Sequence, residues 1–185
     1  PAAKGASNGR SRRSVPLERI YLDANAGLPV RAEALAAFLK AEREAPANPS
    51  SIHRSGRRAQ AVLEEARERV ARCFRCEPRE VIFTSGATEA NNLALFGAAR
   101  ALRRMCGEAP VLVASAAEHP SVLAPLRLLQ QEGYPLRLVA INQQAQPDLD
   151  AMEDAARGAH AAVIALQWAN NETGAVQDIA RACAL

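Results

Sequence analysis

The chain has 185 residues, enough for one well-formed core, and with 49% hydrophobic but 4% aromatic residues that core must be built from Ala, Leu and Val, which suits helices packed on a sheet. A net charge of +3, with basic residues scattered among acids and few aromatics between them, argues against a nucleic-acid surface. No run reaches the length of a membrane span and no signal-peptide apolar region is present, so a cytoplasmic protein is expected.

Residues 1–16 carry Lys4, Arg10, Arg12 and Arg13 among Ala, Ser, Gly and Asn, with no acid before Glu18, and read as a flexible basic tail. An organelle presequence has a similar composition but needs an amphipathic apolar face, which this segment lacks. A short strand is predicted over 20–22, then a helix over 31–44 that Pro46 and Pro49 terminate. A second helix is predicted from Ser55, with Val62, Ala66, Val70 and Phe74 as its apolar stripe and Glu64, Glu65, Arg67 and Arg69 outside it. Cys73 and Cys76 form a CxxC near its end; with no second pair at metal spacing, and Cys106 and Cys183 isolated, reduced structural thiols are the reading.

Val81, Ile82 and Phe83 predict a buried strand, and Thr84, Ser85 and Gly86 the turn into a helix over 89–104. Strands follow over 111–115, 136–141 and 161–166, the last expected to be buried on both faces, and helices over 121–132, with Gly133 as cap, and 149–157. Alternating strand and helix predict a largely parallel sheet covered on both faces by helices, with ligands at the carboxyl ends of the strands.

Three polar constellations lie at such ends. The turn 84–88 leaves helix N-terminal amides free, and with the hydroxyls of Ser85 and Thr88 it would hold an anion; it lacks the Gly-Lys-Ser/Thr ending of a nucleotide loop and suits one monophosphate. The competing reading is an ordinary capped turn. Glu118-His119-Pro120 places His119 after the strand 111–115, where it serves as acid/base, as a ring stacked on a cofactor, or as a plain cap. A metal is not expected, because His53 and His160 lie in unrelated segments. Asn170 and Asn171 follow the strand 161–166, where adjacent carboxamides are costly unless they bind something, although an Asn-Glu-Thr-Gly turn also accounts for them.

Taken in order, YLDANA at 21–26, NPSSIHRSGRRA at 48–59, IFTSGATEANNLAL at 82–95, EHPSVL at 118–123 and WANNETGAVQDI at 168–179 resemble the N-terminal part of the cysteine desulfurase and selenocysteine lyase family. These are pyridoxal-phosphate enzymes of the class V aminotransferase fold. The resemblance implies a three-layer α/β fold, mainly parallel, incomplete at its C-terminus, with 17–45 as an N-terminal segment and 46–185 as the first part of the cofactor-binding large domain. It assigns Ala87 and Thr88 to the cofactor phosphate, His119 to stacking on the pyridine ring and to catalysis, and Asn171 to the ring's phenolic oxygen. L-cysteine is the implied substrate, alanine and a protein persulfide the products, and an acceptor or scaffold protein for iron–sulfur or thio-cofactor assembly the partner of a homodimer.

The chain departs from the family pattern at Ala26-Gly27-Leu28, where Ala-Thr-Thr is usual, so two hydroxyls on the substrate side are absent. The Schiff-base lysine, the sulfur-accepting cysteine and the substrate arginine would follow Leu185, and Lys4 and Lys40 are no substitutes. The chain alone is therefore expected to be marginally stable, to bind the cofactor weakly and to be inactive. The alternatives are a non-enzymatic piece that docks on a full-length desulfurase, or another class V enzyme such as a selenocysteine lyase or an aminotransferase.

Overall fold

Alternation of strand and helix through the second half of the sequence produces three parallel strands in the order β2-β1-β3, with β1 Val111–Ser115 at the centre, β2 Leu136–Val139 and β3 Ala162–Ala165. The computed structural model describes residues 20–24 and 26–184. The expected tail 1–16 lies outside them. The chain divides into two units, Pro1–Pro46 and Ala47–Leu185.

In the first unit, α1 Ala32–Glu44 forms close to the predicted bounds and has no buried residue. The strand predicted over 20–22 is absent: Ile20 and Leu22 are 78% and 88% exposed, and no ladder among the described residues includes them. Three apolar residues without a hydrogen-bonded neighbour gain nothing from an extended ladder conformation.

The second unit opens with α2 Arg54–Phe74. His53 caps it by accepting the Gly56 amide at 3.3 Å, and Arg75 closes it in the left-handed region at φ 55°. Gly56 is required by packing, because a Cβ there would lie 2.1 Å from the Ser51 carbonyl oxygen. The buried positions of α2 are Gly56, Ala59 and Ala71, whereas Ala66 is exposed and Phe74 is 78% exposed. The predicted stripe 62-66-70-74 is therefore rotated: the small residues 59 and 71 allow close approach on a neighbouring face, and Phe74 falls at the helix end.

The extended segment 81–84 is likewise not a strand, and Ile82 is 66% exposed. Arg67 of α2 holds it instead, with its guanidinium 5.0 Å from the Phe83 ring centroid and a hydrogen bond donated to the Val81 carbonyl. Gly86 then begins α3 Ala87–Cys106, which Gly107 ends at φ +80°.

β1 is buried along its whole length, as a central parallel strand must be. Its residues alternate between two cores. Leu112 and Ala114 face α3 and α4 Pro120–Gln131, packing with Leu95, Ala99, Leu126, Leu129 and Tyr134. Val111 and Val113 face α5 Leu149–Ala156 through Leu149 and Met152, and Ala182 of the short α6 Ile179–Ala182 reaches the same core. Each fully buried Leu or Met contributes about 1.5–3 kcal/mol relative to exposure. Helices on both faces make the arrangement three-layered, with α4 and α5 carrying the two parallel crossovers.

Local signals set the remaining boundaries. Pro120 opens α4, Gly133 at φ +89° follows its end, and the Asp148 carboxylate caps α5 by accepting the Asp150 and Ala151 amides. β2 stops at Val139, two residues before the predicted end, because Ile141 turns into an antiparallel bridge with Pro147. β3 is half-buried and not buried on both faces, since it is an edge of the described sheet. No helix among the described residues is long and apolar enough to cross a membrane.

Candidate functional site

The carboxyl ends of β1 and β3, with the N-termini of α3 and α4, gather the polar motifs. At α3, Gly86 has extended backbone and contributes no side-chain cap, so the first amides of the helix, Ala87 and Thr88 among them, point outward without an intrahelical acceptor. A Cβ at Gly86 would meet nothing within 4 Å, so the approach to these amides is open. Both residues are exposed.

The Ser85 hydroxyl was expected to face an anion, but it donates to Glu89 Oε2 at 2.6 Å, and the Ser85 amide donates to the same oxygen at 2.7 Å. These bonds, the hydroxyl's first, hold the Glu89 carboxyl below its ordinary value of 4.5. Glu89 thus takes the amide and hydroxyl before the helix, leaving Ala87 and Thr88 as the open part of the cup. Thr84 completes the turn by donating to the Gly86 carbonyl at 3.1 Å.

After β1 the chain turns through Ser115-Ala116-Ala117 to Glu118 and His119. His119 is exposed and is the N-cap of α4, its Nδ1 accepting the Ser121 amide at 3.0 Å. Capping was the plainest of the readings open to it, yet it occupies only one ring nitrogen. Ser121 Oγ also lies 2.8 Å from Nδ1, and Asn91 of α3 donates to that hydroxyl at 2.8 Å. The helix carrying the cup and the helix carrying the ring are therefore joined by one hydrogen-bonded chain. Neither Asn91 nor Ser121 stood out in the sequence; the signal available was only their position inside the blocks 82–95 and 118–123.

Glu118 is buried, and its Oε1 accepts the Gln167 amide at 2.8 Å. Burial pushes its carboxyl above 4.5, opposed by that hydrogen bond. Gln167 and Asn170 each donate a side-chain N–H to the Ala117 carbonyl, at 2.7 and 3.1 Å, which ties the loop after β3 to the loop after β1.

The two adjacent asparagines part company here. Asn170 is buried and its Oδ1 accepts the Glu172 and Thr173 amides, both at 2.9 Å, so its burial is compensated by the turn itself. Asn171 is exposed at the tip of the same turn. The turn is closed by the Ala169–Val176 bridge, with Gly174 at φ +73°. A separate cavity of about 570 Å³ lies beyond the end of β2, lined by Asn142, Gln146, Asp148, Gln177 and Arg181 among others. None of Ala87, Thr88, His119 or Asn171 lines it.

The model of the family described as aminotransferase class V matches residues 20–185. A cysteine desulfurase IscS of Dictyoglomus turgidum is 36% identical over 160 residues, which cover 86% of this chain and 40% of that protein. Among solved structures, a NifS-like protein superposes with a TM-score of 0.81 at 28% identity, covering 90% of this chain and 45% of its own. SspA in complex with cysteine gives 0.75 at 29% identity, covering 85% and 44%. The chain thus spans less than half the length of each relative.

Proposed function

The chain belongs to the class V aminotransferase family, whose cysteine desulfurases depend on pyridoxal phosphate, and on that premise we propose that it supplies part of the cofactor pocket of a cysteine desulfurase. One observation carries this reading: the open amides of α3 and the His119 ring, linked through Asn91 and Ser121, converge at the carboxyl end of a parallel sheet. An uncapped helix N-terminus favours a phosphate, and an exposed imidazole supplies a flat ring with one nitrogen uncommitted. The residues present therefore fit the cofactor.

In this reading the Ala87 and Thr88 amides and the Thr88 hydroxyl hold the phosphate, His119 lies against the pyridine ring, and Asn171 donates to the ring's phenolic oxygen. Asn170 shapes the turn that presents Asn171, and Gln167 fastens that turn to the loop bearing His119. When bound, pyridoxal phosphate supplies the electron sink for cleavage at the substrate's β-carbon. The protein residues bind and orient; Glu118, buried and satisfied, belongs to the scaffold.

The proposed substrate is L-cysteine, in keeping with the names of the relatives and with the cysteine complex of SspA. Carried over from the family, the whole protein acts as a homodimer, releases alanine and passes sulfur to an acceptor or scaffold protein for iron–sulfur or thio-cofactor assembly. These 185 residues alone are proposed to bind the cofactor noncovalently and to turn over nothing: their two lysines are Lys4 and Lys40, and Lys40 lies on α1, exposed and 4.0 Å from Glu44.

The test is direct. Titrated with pyridoxal phosphate, the purified chain is expected to bind it, and Thr88→Ala to weaken binding. Borohydride reduction is expected to leave no adduct by mass. A stable adduct on Lys40, or sulfide released from cysteine by this chain alone, would falsify the noncovalent, inactive reading; no binding at all would remove the cofactor pocket.

A further inference from the structure

We propose that Ser121, backed by Asn91, is a positioning residue that locks His119 as the Nε2–H tautomer, so that the ring offers a hydrogen-bond donor to the site. A backbone amide can only donate, and the Ser121 amide is 3.0 Å from Nδ1, so Nδ1 carries a lone pair. The Ser121 hydroxyl, 2.8 Å from the same nitrogen, must then donate to it as well. Its own lone pairs face Asn91 Nδ2 at 2.8 Å, which turns the O–H toward the ring and away from other acceptors. Neutral imidazole has one N–H, and with Nδ1 accepting from two donors that proton sits on Nε2. No partner among the described residues takes Nε2.

Two consequences follow. Nδ1 is closed to substrate and cofactor, and Nε2 of the neutral ring cannot serve as a base. The group it faces in a bound complex must be an acceptor, which for an amino-acid thiol means a carboxylate oxygen or a thiolate sulfur. Because Asn91 sits on α3 and Ser121 on α4, the link also couples the position of the ring to that of the phosphate cup. This inference rests on the proposed cofactor pocket for its functional meaning, but the hydrogen-bonded chain itself does not need the cofactor.

The test uses the full chain, isotopically labelled at histidine, with the tautomer read from two-bond nitrogen–proton couplings at a pH where the rings are neutral. The unmodified chain is expected to show His119 as the Nε2–H form alone. Ser121→Pro, which removes both the amide and the hydroxyl that face Nδ1 at a helix position with no intrahelical bond to lose, is expected to admit the Nδ1–H form, whereas Ser121→Ala and Asn91→Leu, which keep the amide, are expected to retain Nε2–H. Should Ser121→Pro not fold, Ser121→Ala decides the matter, a mixed tautomer there showing that the amide does not fix Nδ1 as an acceptor. A mixed tautomer in the unmodified chain or in Ser121→Ala, or an unchanged single tautomer in Ser121→Pro, overturns the proposal.

Pyridoxal-phosphate binding is measured in parallel, and loss of the link is expected to weaken it about threefold to tenfold, the worth of one neutral hydrogen bond. If no variant binds the cofactor but the tautomer responds as expected, the positioning stands and the cofactor reading fails.

Discussion

Two segments of this chain are nearly interchangeable on paper: Val-Leu-Val-Ala-Ser at 111–115 and Val-Ile-Phe-Thr-Ser at 81–85. Each is apolar, ends in serine, turns and enters a helix that carries residues of the candidate site. The first is a central strand with every residue buried, and the second is extended chain with Ile82 and Phe83 exposed at 66% and 45%. An apolar β-branched run creates a demand for ladder partners, and only the surroundings decide whether that demand is met. β1 has β2 and β3 on its two edges, whereas 81–85 is held by a guanidinium from α2.

The largest expected effect compares matched truncations. Leu112→Ala, in the core shared with α3 and α4, is expected to cost about 2–5 kcal/mol in urea unfolding, against less than about 0.5 kcal/mol for Ile82→Ala. Equal costs would mean that 81–85 has a packed partner, and the contrast would collapse. Next, Asn170→Ala leaves the Glu172 and Thr173 amides without their acceptor and removes one of the two side-chain bonds to the Ala117 carbonyl, at a cost of about 1–3 kcal/mol by the same measurement. A neutral outcome would show that the turn after β3 does not need the Asn170 carboxamide to hold its shape.

Arg67→Met tests how 81–85 is held. Loss of the contact with Phe83 is expected to cost about 0.5–1 kcal/mol and to speed amide exchange across 81–85, leaving β1 protected. Exchange that rises equally in both segments would refute separate anchoring.

The smallest effects separate the carboxylates that follow the two segments, and they have opposite signs. The Glu118 carboxyl is raised by burial, so its contribution to stability is fully present below about 4.5 and is lost as pH rises through the folded value. Glu118→Gln, which keeps an oxygen for the Gln167 amide, is expected to raise Tm at pH 7 and to lose that gain on acidification. The Glu89 carboxyl is lowered by Ser85, so its contribution is present above about 4.5 and disappears as pH falls through the folded value. Glu89→Gln is expected to lower Tm at pH 7, with the difference vanishing in acid. Two pH–Tm curves of the same slope would break the assignment of either carboxylate.

The helices, the alternating order of the second unit and the bounds of β1 were legible because their signals are local. Pro120 and Gly133 bracket α4, Asp148 opens α5, and a short apolar run between turns marks β1. The placement of His119 just past a strand could be read in the same way, whereas the helix expected from Glu89 begins two residues earlier, at Ala87, and Ala87 itself is singled out only by the family resemblance. Asn91 and Ser121 could not, being 30 residues apart and unremarkable where each stands.

What the amino-acid order alone decided, then, is the succession of elements and the residue types at their ends, since capping, periodicity and turn chemistry act over a few neighbouring residues. Tertiary structure decided which apolar run became a strand, which of two adjacent asparagines is buried in its own turn, and which nitrogen of His119 carries the proton. The first depends wholly on partners supplied by distant parts of the chain, and the other two join a local hydrogen bond to a distant one, Ala117 for Asn170 and Asn91 for the Ser121–His119 pair; a hydrogen bond or a ladder exists only when both halves are brought together.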